Sequence, residues 1–315
     1  MKKKYLFISA VLLLFSAIQI SAQQKMNKTE SSQNSKGMLF TLKYENQDCS
    51  YEILVNDIPV MVYFGLGGGF SLGKEINQYI LKPGKQEIAI RLYPQKKDET
   101  SFDETISKTA KVKISIKKTT EPLSLLDKAE ARGKGIETEW EILTFETPKV
   151  ETNTAYLEFK TSFNVIDKDI SWKINGWNKS KDLKSEPDLR KQVDSFYENF
   201  KNILASKKTQ DYLNLLKTSI HEEALSKPWM GLDFEKDLSN EILKYASEER
   251  NFIYPCQNAE LKFYGNGKVV TLVCKDMLSY GYSPLISKTA KSAMPKVHTF
   301  YLYKPENSNE LEIIR

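Results

Sequence analysis

The sequence predicts a mainly β first half, an antiparallel β-sandwich, followed by an α+β second half in which helices precede an antiparallel sheet. Two observations carry this expectation. Residues 38–178 contain eight short runs with partial apolar alternation, bounded by Gly, Pro, Asn and Asp, and no long helical pattern. From Glu186 the apolar spacing lengthens to three and four residues, and strand-like runs return only after Pro255.

The chain opens with "MKKKYLFISAVLLLFSAIQISAQQ": three lysines, an apolar run from Tyr5 to Ile20, then the small residues Ser21 and Ala22. This is the pattern of a cleavable secretory signal over residues 1–22. The run is shorter than the ~20 apolar residues a spanning helix needs, so no transmembrane anchor is expected after cleavage. No cysteine follows it to accept a lipid. The expected location is periplasmic or secreted. Residues 23–37 have almost no apolar side chains and read as a flexible tether.

The remaining stretch of about 280 residues predicts two domains, at 38–178 and 186–315. A hydrophobic content of 40%, with 15 Phe, 16 Tyr and 4 Trp, suffices for a core in each. The formal charge of +5 includes the three lysines of the leader, and no basic block follows them, so nucleic acid is not an expected partner.

In the first half, "MLFTLKY", "SYEILVN", "IPVMVYF", "QEIAIRLYP", "AKVKISIKK", "TEWEILTFE", "AYLEFKTSF" and "ISWKING" read as strands. In "QEIAIRLYP", Ile88, Ile90 and Leu92 share one face and Glu87, Ala89 and Arg91 the other, as in a half-buried strand. Seven or eight such runs argue for a sandwich. The stretch after Lys118 reads as a loop with at most one helical turn.

"YFGLGGGFSLG", Tyr63–Gly73, has five glycines in eleven residues. Gly68 to Gly73-Lys74 imitates the spacing of a phosphate-binding loop. However, Glu75 stands where the metal-binding hydroxyl belongs, and no helix-forming run follows. Gly65-x-Gly67 lacks the third small residue of a dinucleotide fingerprint, since Phe70 occupies it. The segment therefore reads as a connection between strands, Pro59–Phe64 and Ile76–Leu81. Gly65, Gly67, Gly68 and Gly69 are candidate partner-binding positions, because exposed loops carry binding more often than strands do. No cofactor is expected.

Val55-Asn56-Asp57, then Asn77, Ile80, Leu81, Gly84 and Lys85, then Leu92 and Pro94, form a pattern of turn residues and alternation. Over residues 51–94 it resembles a small β-rich module recurring in exported proteins of Gram-negative bacteria, some of them similar to immunity proteins that neutralise secreted toxins. The resemblance implies a protein partner in the cell envelope and no catalytic residue.

Trp172 alternates with Ile170 and Ile174, and Trp177 follows in a Gly-Trp-Asn turn. Trp177 has two readings: a platform for a sugar ring, or packing against the second domain.

In the second half, Ser185 would cap a first helix whose face carries Leu189, Val193, Phe196, Phe200, Ile203 and Leu204. Tyr212, Leu215, Leu216 and Ile220 mark a second, and Leu238, Ile242 and Tyr245 a third. "AELKFYG", "KVVTLVC", "VHTFYLY" and "ELEIIR" then read as strands, the first two joined at Asn266-Gly267. Helices before an antiparallel sheet define an α+β domain. The element order resembles the cone-shaped NTF2-like fold, in which helices cover a curved sheet and a pocket opens between them. That fold serves enzymes and binders alike.

Cys49, Cys256 and Cys274 show no CxxC pair, so zinc-ribbon and thioredoxin chemistry lack their spacing and no metal site is expected. Counting back from the turn at Asn266-Gly267 places Ala259 opposite Cys274. A Cys256–Cys274 disulfide therefore requires the chain after Pro255 to curl back, with Cys49 left as a lone buried thiol.

Catalytic patterns are thin. "HEEAL" at His221 has Leu225 where a zinc helix needs its second histidine, and the G-x-S-x-G spacing at Gly69-Phe70-Ser71-Leu72-Gly73 lacks the helix-forming run that must follow a nucleophile elbow. His298 shares a strand face with Phe300 and Leu302, the usual setting of a packed core histidine. The expected function is that of a non-enzymatic exported protein recognising a protein partner. One alternative is glycan binding through Trp177 or Trp229. Another is an enzyme with His298, Tyr280 or Tyr282 in an NTF2-like pocket. "MLSYGYSPLISKTAKSAMPK" is long for a hairpin loop and suits a contact loop or pocket rim.

Overall fold

Apolar residues at every second position dictate the first half. Phe40, Leu42 and Tyr44 of β1 (Met38–Gln47) are buried, as are Val112, Ile114 and Ile116 of β6 (Lys111–Thr120), which pairs with it antiparallel. The lysines between them stay out, as a one-sided strand requires. The computed structural model describes residues 37–69, 73–120, 125–292 and 294–315. The leader and nearly all of the tether, residues 1–36, lie outside the described residues.

Two four-stranded antiparallel sheets make up this half. One has the order β4 (Lys74–Glu75), β1, β6, β7 (Glu139–Glu146). The other runs β3 (Ile58–Tyr63), β2 (Ser50–Val55), β5 (Gly84–Tyr93), β8 (Leu157–Val165). They face each other across one core: Phe40 meets Phe163 at 6.2 Å between ring centroids, and Tyr44 meets Tyr51 at 5.8 Å. Cys49 is buried there, and burial pushes its thiol up to about 12.

The second half carries α2 (Leu189–Ala205), α3 (Thr209–Leu225) and α4 (Phe234–Ala246). Its sheets run β10 (Ala259–Tyr264), β11 (Val269–Cys274), β14 (Leu302–Tyr303), β15 (Glu312–Ile313), and β13 (Lys296–Val297), β12 (Ile286–Thr289), β9 (Arg250–Ile253). Leu189, Val193, Phe200, Ile203 and Leu204 of α2 pack on Leu272, Phe300 and Leu302. The whole is an α+β protein with antiparallel sheets. No helix among the described residues is long and apolar enough to cross a membrane.

Several local expectations are corrected. Ile76–Leu81 is not a strand but a 3₁₀ turn at Asn77–Tyr79. Here the Asn77 side chain takes over the ladder, accepting from Phe40 N (2.8 Å) and donating to Met38 O (2.9 Å). Residues 170–176 form no strand. Their backbone is satisfied piecemeal, Gly176 N donating to the Glu222 carboxylate at 2.7 Å. Helix α1 (Leu125–Gly133) replaces the single turn expected after Lys118. "VHTFYLY" splits between two sheets, because His298 N turns to Leu285 O (2.9 Å) and Tyr301 N to Arg315 O (2.8 Å). Ser185 does not cap α2, since it ends a separate 3₁₀ turn and the helix starts after Asp188. The residue before Pro187, Glu186, is extended, as a following proline enforces.

The halves are joined by more than their linker. Strand β2 is buried along its whole length, so both its faces are covered. Tyr51, Ile53 and Val55 look into the sandwich, while Glu52 on the opposite face meets β10. Glu52 is only 1% exposed. Its carboxylate accepts from Lys262 Nζ, from the Tyr264 hydroxyl (3.0 Å) and from the Tyr93 hydroxyl (3.0 Å), with Arg91 Nη1 at 3.7 Å. Burial, then the Glu52 charge, pushes the Tyr264 and Tyr93 hydroxyls well up, so both stay protonated donors. Nearby, the β2–β3 turn at Asn56-Asp57, both at positive φ, accepts the turn between β10 and β11. Gly265 N donates to Asp57 O (3.0 Å) and Asn266 N to Asp57 Oδ2 (2.8 Å). Tyr264, Val269, Tyr301, Tyr303 and Ile314 thereby join the sandwich core.

Removing one partner of a buried ion pair strands the other, which costs about 3–5 kcal/mol. Glu52→Ala is therefore expected to destabilise the protein by that amount in urea unfolding. Lys262→Met, which leaves Glu52 with three other partners, should cost clearly less.

Candidate functional site

The strands β3 and β5 finish at the same end of their sheet, and their last aromatics, Phe64 (just past β3) and Tyr93, meet there at 5.1 Å. At this end of the sheet Phe64, which leads into Gly65–Gly69, meets Tyr280 and Tyr282 of Met277–Tyr282, more than two hundred residues away in sequence. The Tyr282 hydroxyl oxygen accepts from Phe64 N at 3.0 Å, and Tyr280 packs on Phe64 at 5.4 Å and on Phe102 at 5.0 Å. Burial pushes the Tyr282 hydroxyl up to about 12. Gly281 lies at φ +78°, and an added Cβ would fall 2.2 Å from the Phe64 ring. Glycine is required there for both conformation and space.

Each segment is held by its own chemistry. Asn46 of β1 receives Gly69 N on its side-chain oxygen (2.8 Å) and gives its own N–H to Gly69 O (3.1 Å). The Tyr63 hydroxyl donates to Leu66 O at 2.7 Å. Residues 70–72 of the glycine stretch lie outside the described residues. Lys74 gives its ammonium to Val60 O (2.5 Å) and Glu75 pairs with Lys227 (2.8 Å), so both are engaged within the fold.

The second segment is tied by the Cys256–Cys274 disulfide. Ala259 stands opposite Cys274, as counting from the turn requires, and the chain after Pro255 curls back to close the bond. Cys274 N donates to Tyr282 O (2.8 Å) and Gly281 N to Cys274 O (2.9 Å), so the bridge fixes the loop directly. Cys256, Cys274 and Asp276 form the group with metal-ligand proximity among the described residues. The two sulfurs are bonded to each other, and Asp276 accepts from Gln257 N (2.6 Å) and Asn258 Nδ2 (2.7 Å).

Around the buried aromatics the rim is apolar and open. Leu66, Tyr156, Met277 and Leu278 are 38–47% exposed. Tyr156 stacks on Tyr93 at 5.5 Å, and Lys96 reaches from the sandwich to Met277 O at 2.6 Å. Exposed apolar groups gathered at one junction mark an interaction surface more strongly than scattered ones. Behind the rim, Val62, Tyr264, Thr271, Tyr282, Ser283 and Tyr301 border a cavity of about 20 Å³. That is room for one water molecule and far below the volume a metabolite needs.

The other candidates lie elsewhere. Trp177 is 5% exposed and covered by Arg315, whose guanidinium lies 5.6 Å from its ring, and by Gly265. Trp229 is half-buried. His298 sits between α2, α4 and β9, touching Phe200, Tyr245 and Phe252, and shares a 2.7 Å hydrogen bond with Ser287. Burial, then the charges of Lys296 and Arg250, pushes it down from 6.5 to about 3, so it is neutral at physiological pH. Sequence reasoning missed Phe64, Tyr93 and Phe102; the aromatic endings of "MVYF" and "IRLY" were the available signal.

Comparisons with protein-family models, with curated proteins and with solved structures find no match to this chain.

Two outcomes are expected. Gly281→Ala should cost about 2–4 kcal/mol from positive-φ strain and overpacking against Phe64, read as a lowered urea midpoint. For His298, the unfolded chain binds a proton near pH 6.5 and the folded chain only near 3. Stability is lost as pH falls through that window, at up to about 1.4 kcal/mol per pH unit. His298→Asn should lack this component when unfolding is compared between pH 4 and 7 (a window taken about the ordinary histidine value).

Proposed function

We propose that this protein is an exported, non-enzymatic binding protein that recognises a protein partner in the cell envelope through the rim at the junction of its two halves. Neutralisation of a toxin is the most specific form of this reading. The observation that carries it is the meeting of Phe64, the residue before Gly65–Gly69, with Tyr280 and Tyr282 of the second segment, in a region that includes the exposed Leu66, Tyr156, Met277 and Leu278. A buried aromatic anchor ringed by accessible apolar groups is the anatomy of a protein-binding patch.

The leader sequence supports export, and the Cys256–Cys274 disulfide is in keeping with an oxidising compartment. We read the second half as an NTF2-like cone in which the pocket has been filled: His298 and Phe200 occupy the space between helices and sheet. That filling, and the small cavity at the junction, favour a binder over an enzyme. The covered faces of Trp177 favour a protein over a glycan as ligand.

The test is affinity capture from the native periplasm, comparing the wild type with a Leu66→Asp/Leu278→Asp variant and with Leu232→Asp. Leu232 is fully exposed and lies on a different element, just before α4. A stoichiometric protein captured by the wild type and by Leu232→Asp, but bound about tenfold more weakly or worse by the double variant, is the expected result. Equal capture by all three would place the contact elsewhere, and capture of no protein would remove the proposal.

A further inference from the structure

At the outer end of the second half, two cations share one aromatic ring without a counter-charge. Arg250 opens β9 directly after α4, and its guanidinium carbon lies 4.1 Å from the centroid of the Tyr245 ring. The ammonium of Lys296, on β13, lies 3.8 Å from the same centroid. Among the described residues no carboxylate comes within ion-pair distance of either cation. Glu248 is the acidic group whose field reaches Lys296.

Arg250 is 7% exposed. Its Nη2 donates to Tyr245 O, but its Nε and Nη1 have no hydrogen-bond partner, and neither has the buried Tyr245 hydroxyl. Buried polar groups are nearly always paired, and an uncompensated buried charge is strongly destabilising. Here two unpaired guanidinium nitrogens, a phenol whose nearest polar neighbours are Arg250 and Ser287, and two positive charges are gathered at one ring. The neighbouring Ser287–His298 pair adds polar groups and no charge. Tyr245 and Lys296 are half-buried, so the cluster borders solvent on their side.

We propose that Arg250, Lys296 and the Tyr245 hydroxyl form a binding site for a small divalent oxyanion of the phosphate class. Two cations call for two negative charges, which a phosphate or phosphomonoester carries closely near neutral pH. Its several acceptor oxygens match donors that point from different elements, as a guanidinium, an ammonium and a phenol do here. The site is separate from the junction rim and independent of the protein-recognition reading.

The probe is inorganic phosphate, titrated into the purified protein at constant ionic strength with chloride, and separately acetate, as the replaced anion. Thermal unfolding and phosphorus-31 line broadening are read in parallel. The expected result is a saturable rise in melting temperature with phosphate, matched by broadening of the phosphate signal and absent with acetate. In Lys296→Met, a substitution at a half-buried position, the phosphate dissociation constant should rise about tenfold or more, the loss of one charge-assisted contact. In the absence of phosphate the same variant should unfold at the same or a higher temperature, because it relieves repulsion between two cations. A melting temperature indifferent to phosphate, or a phosphate response unchanged in Lys296→Met, would overturn the proposal. An equal response to acetate would overturn the divalent assignment.

Discussion

Glu52 is a carboxylate on a strand that has no wet face. Set in the middle of β2 and covered on both sides, it is tolerable only if its charge is met by donors from across the junction. Lys262 and Tyr264 on β10 supply two, and Arg91 and Tyr93 on β5 complete the shell. The two halves are therefore coupled by an obligation and not merely by contact. A sandwich without β10 would expose a ring of Glu52, Arg91 and Tyr93 built for partners that are missing. Whether such an arrangement adds net stability over an apolar one is a separate matter. In the observed register Lys262 and Tyr264, two residues apart on β10, both reach the Glu52 carboxylate.

That register positions everything downstream. With β10 fixed, the turn at Gly265–Gly267 locks onto Asp57, and β11 carries Cys274 to the end of the sheet where β3 and β5 finish. The disulfide and the paired backbone bonds between Cys274 and residues 281–282 then deliver Tyr280 and Tyr282 to Phe64. The rim is a consequence of docking, built from side chains that neither half could arrange alone. The glycines serve this geometry locally. Gly281 makes room for the Phe64 ring, and Gly68, where a Cβ would fall 3.0 Å from Asn46 O, lets the chain return to Asn46.

Elements with a clean period were legible in the sequence, and those whose backbone is satisfied by side chains were not. β1, β2, β3, β5, β6, β7 and β8 and the three long helices follow apolar spacing and stand where that spacing puts them, within a few residues. The segments at 76–81 and 170–176 have strand-like composition, but Asn77 and Glu222 intercept their hydrogen bonds, and one sequence does not announce such a partner. β9 and β12 are too short and too mixed to register as periodic. The candidate site was legible in pieces: the glycine segment, Tyr280, Tyr282 and the cysteine pair were each singled out on local grounds. Their meeting was not, because it depends on Glu52, which reads as an ordinary outward residue of a half-buried strand. Trp177 and His298 illustrate the converse. Their residue types suggest chemistry, and burial assigns them to packing and to an internal hydrogen bond.

The most direct test of this coupling is urea unfolding followed by two probes at once. Tryptophan fluorescence, to which Trp140, Trp172 and Trp177 contribute three of the four indoles, reports the first half, and helical circular dichroism, dominated by α2–α4, reports the second. If the buried Glu52 contacts make the halves interdependent, the two transitions coincide in the wild type and separate in Glu52→Gln. Transitions that are already separate in the wild type, with midpoints unmoved by Glu52→Gln, would contradict the account.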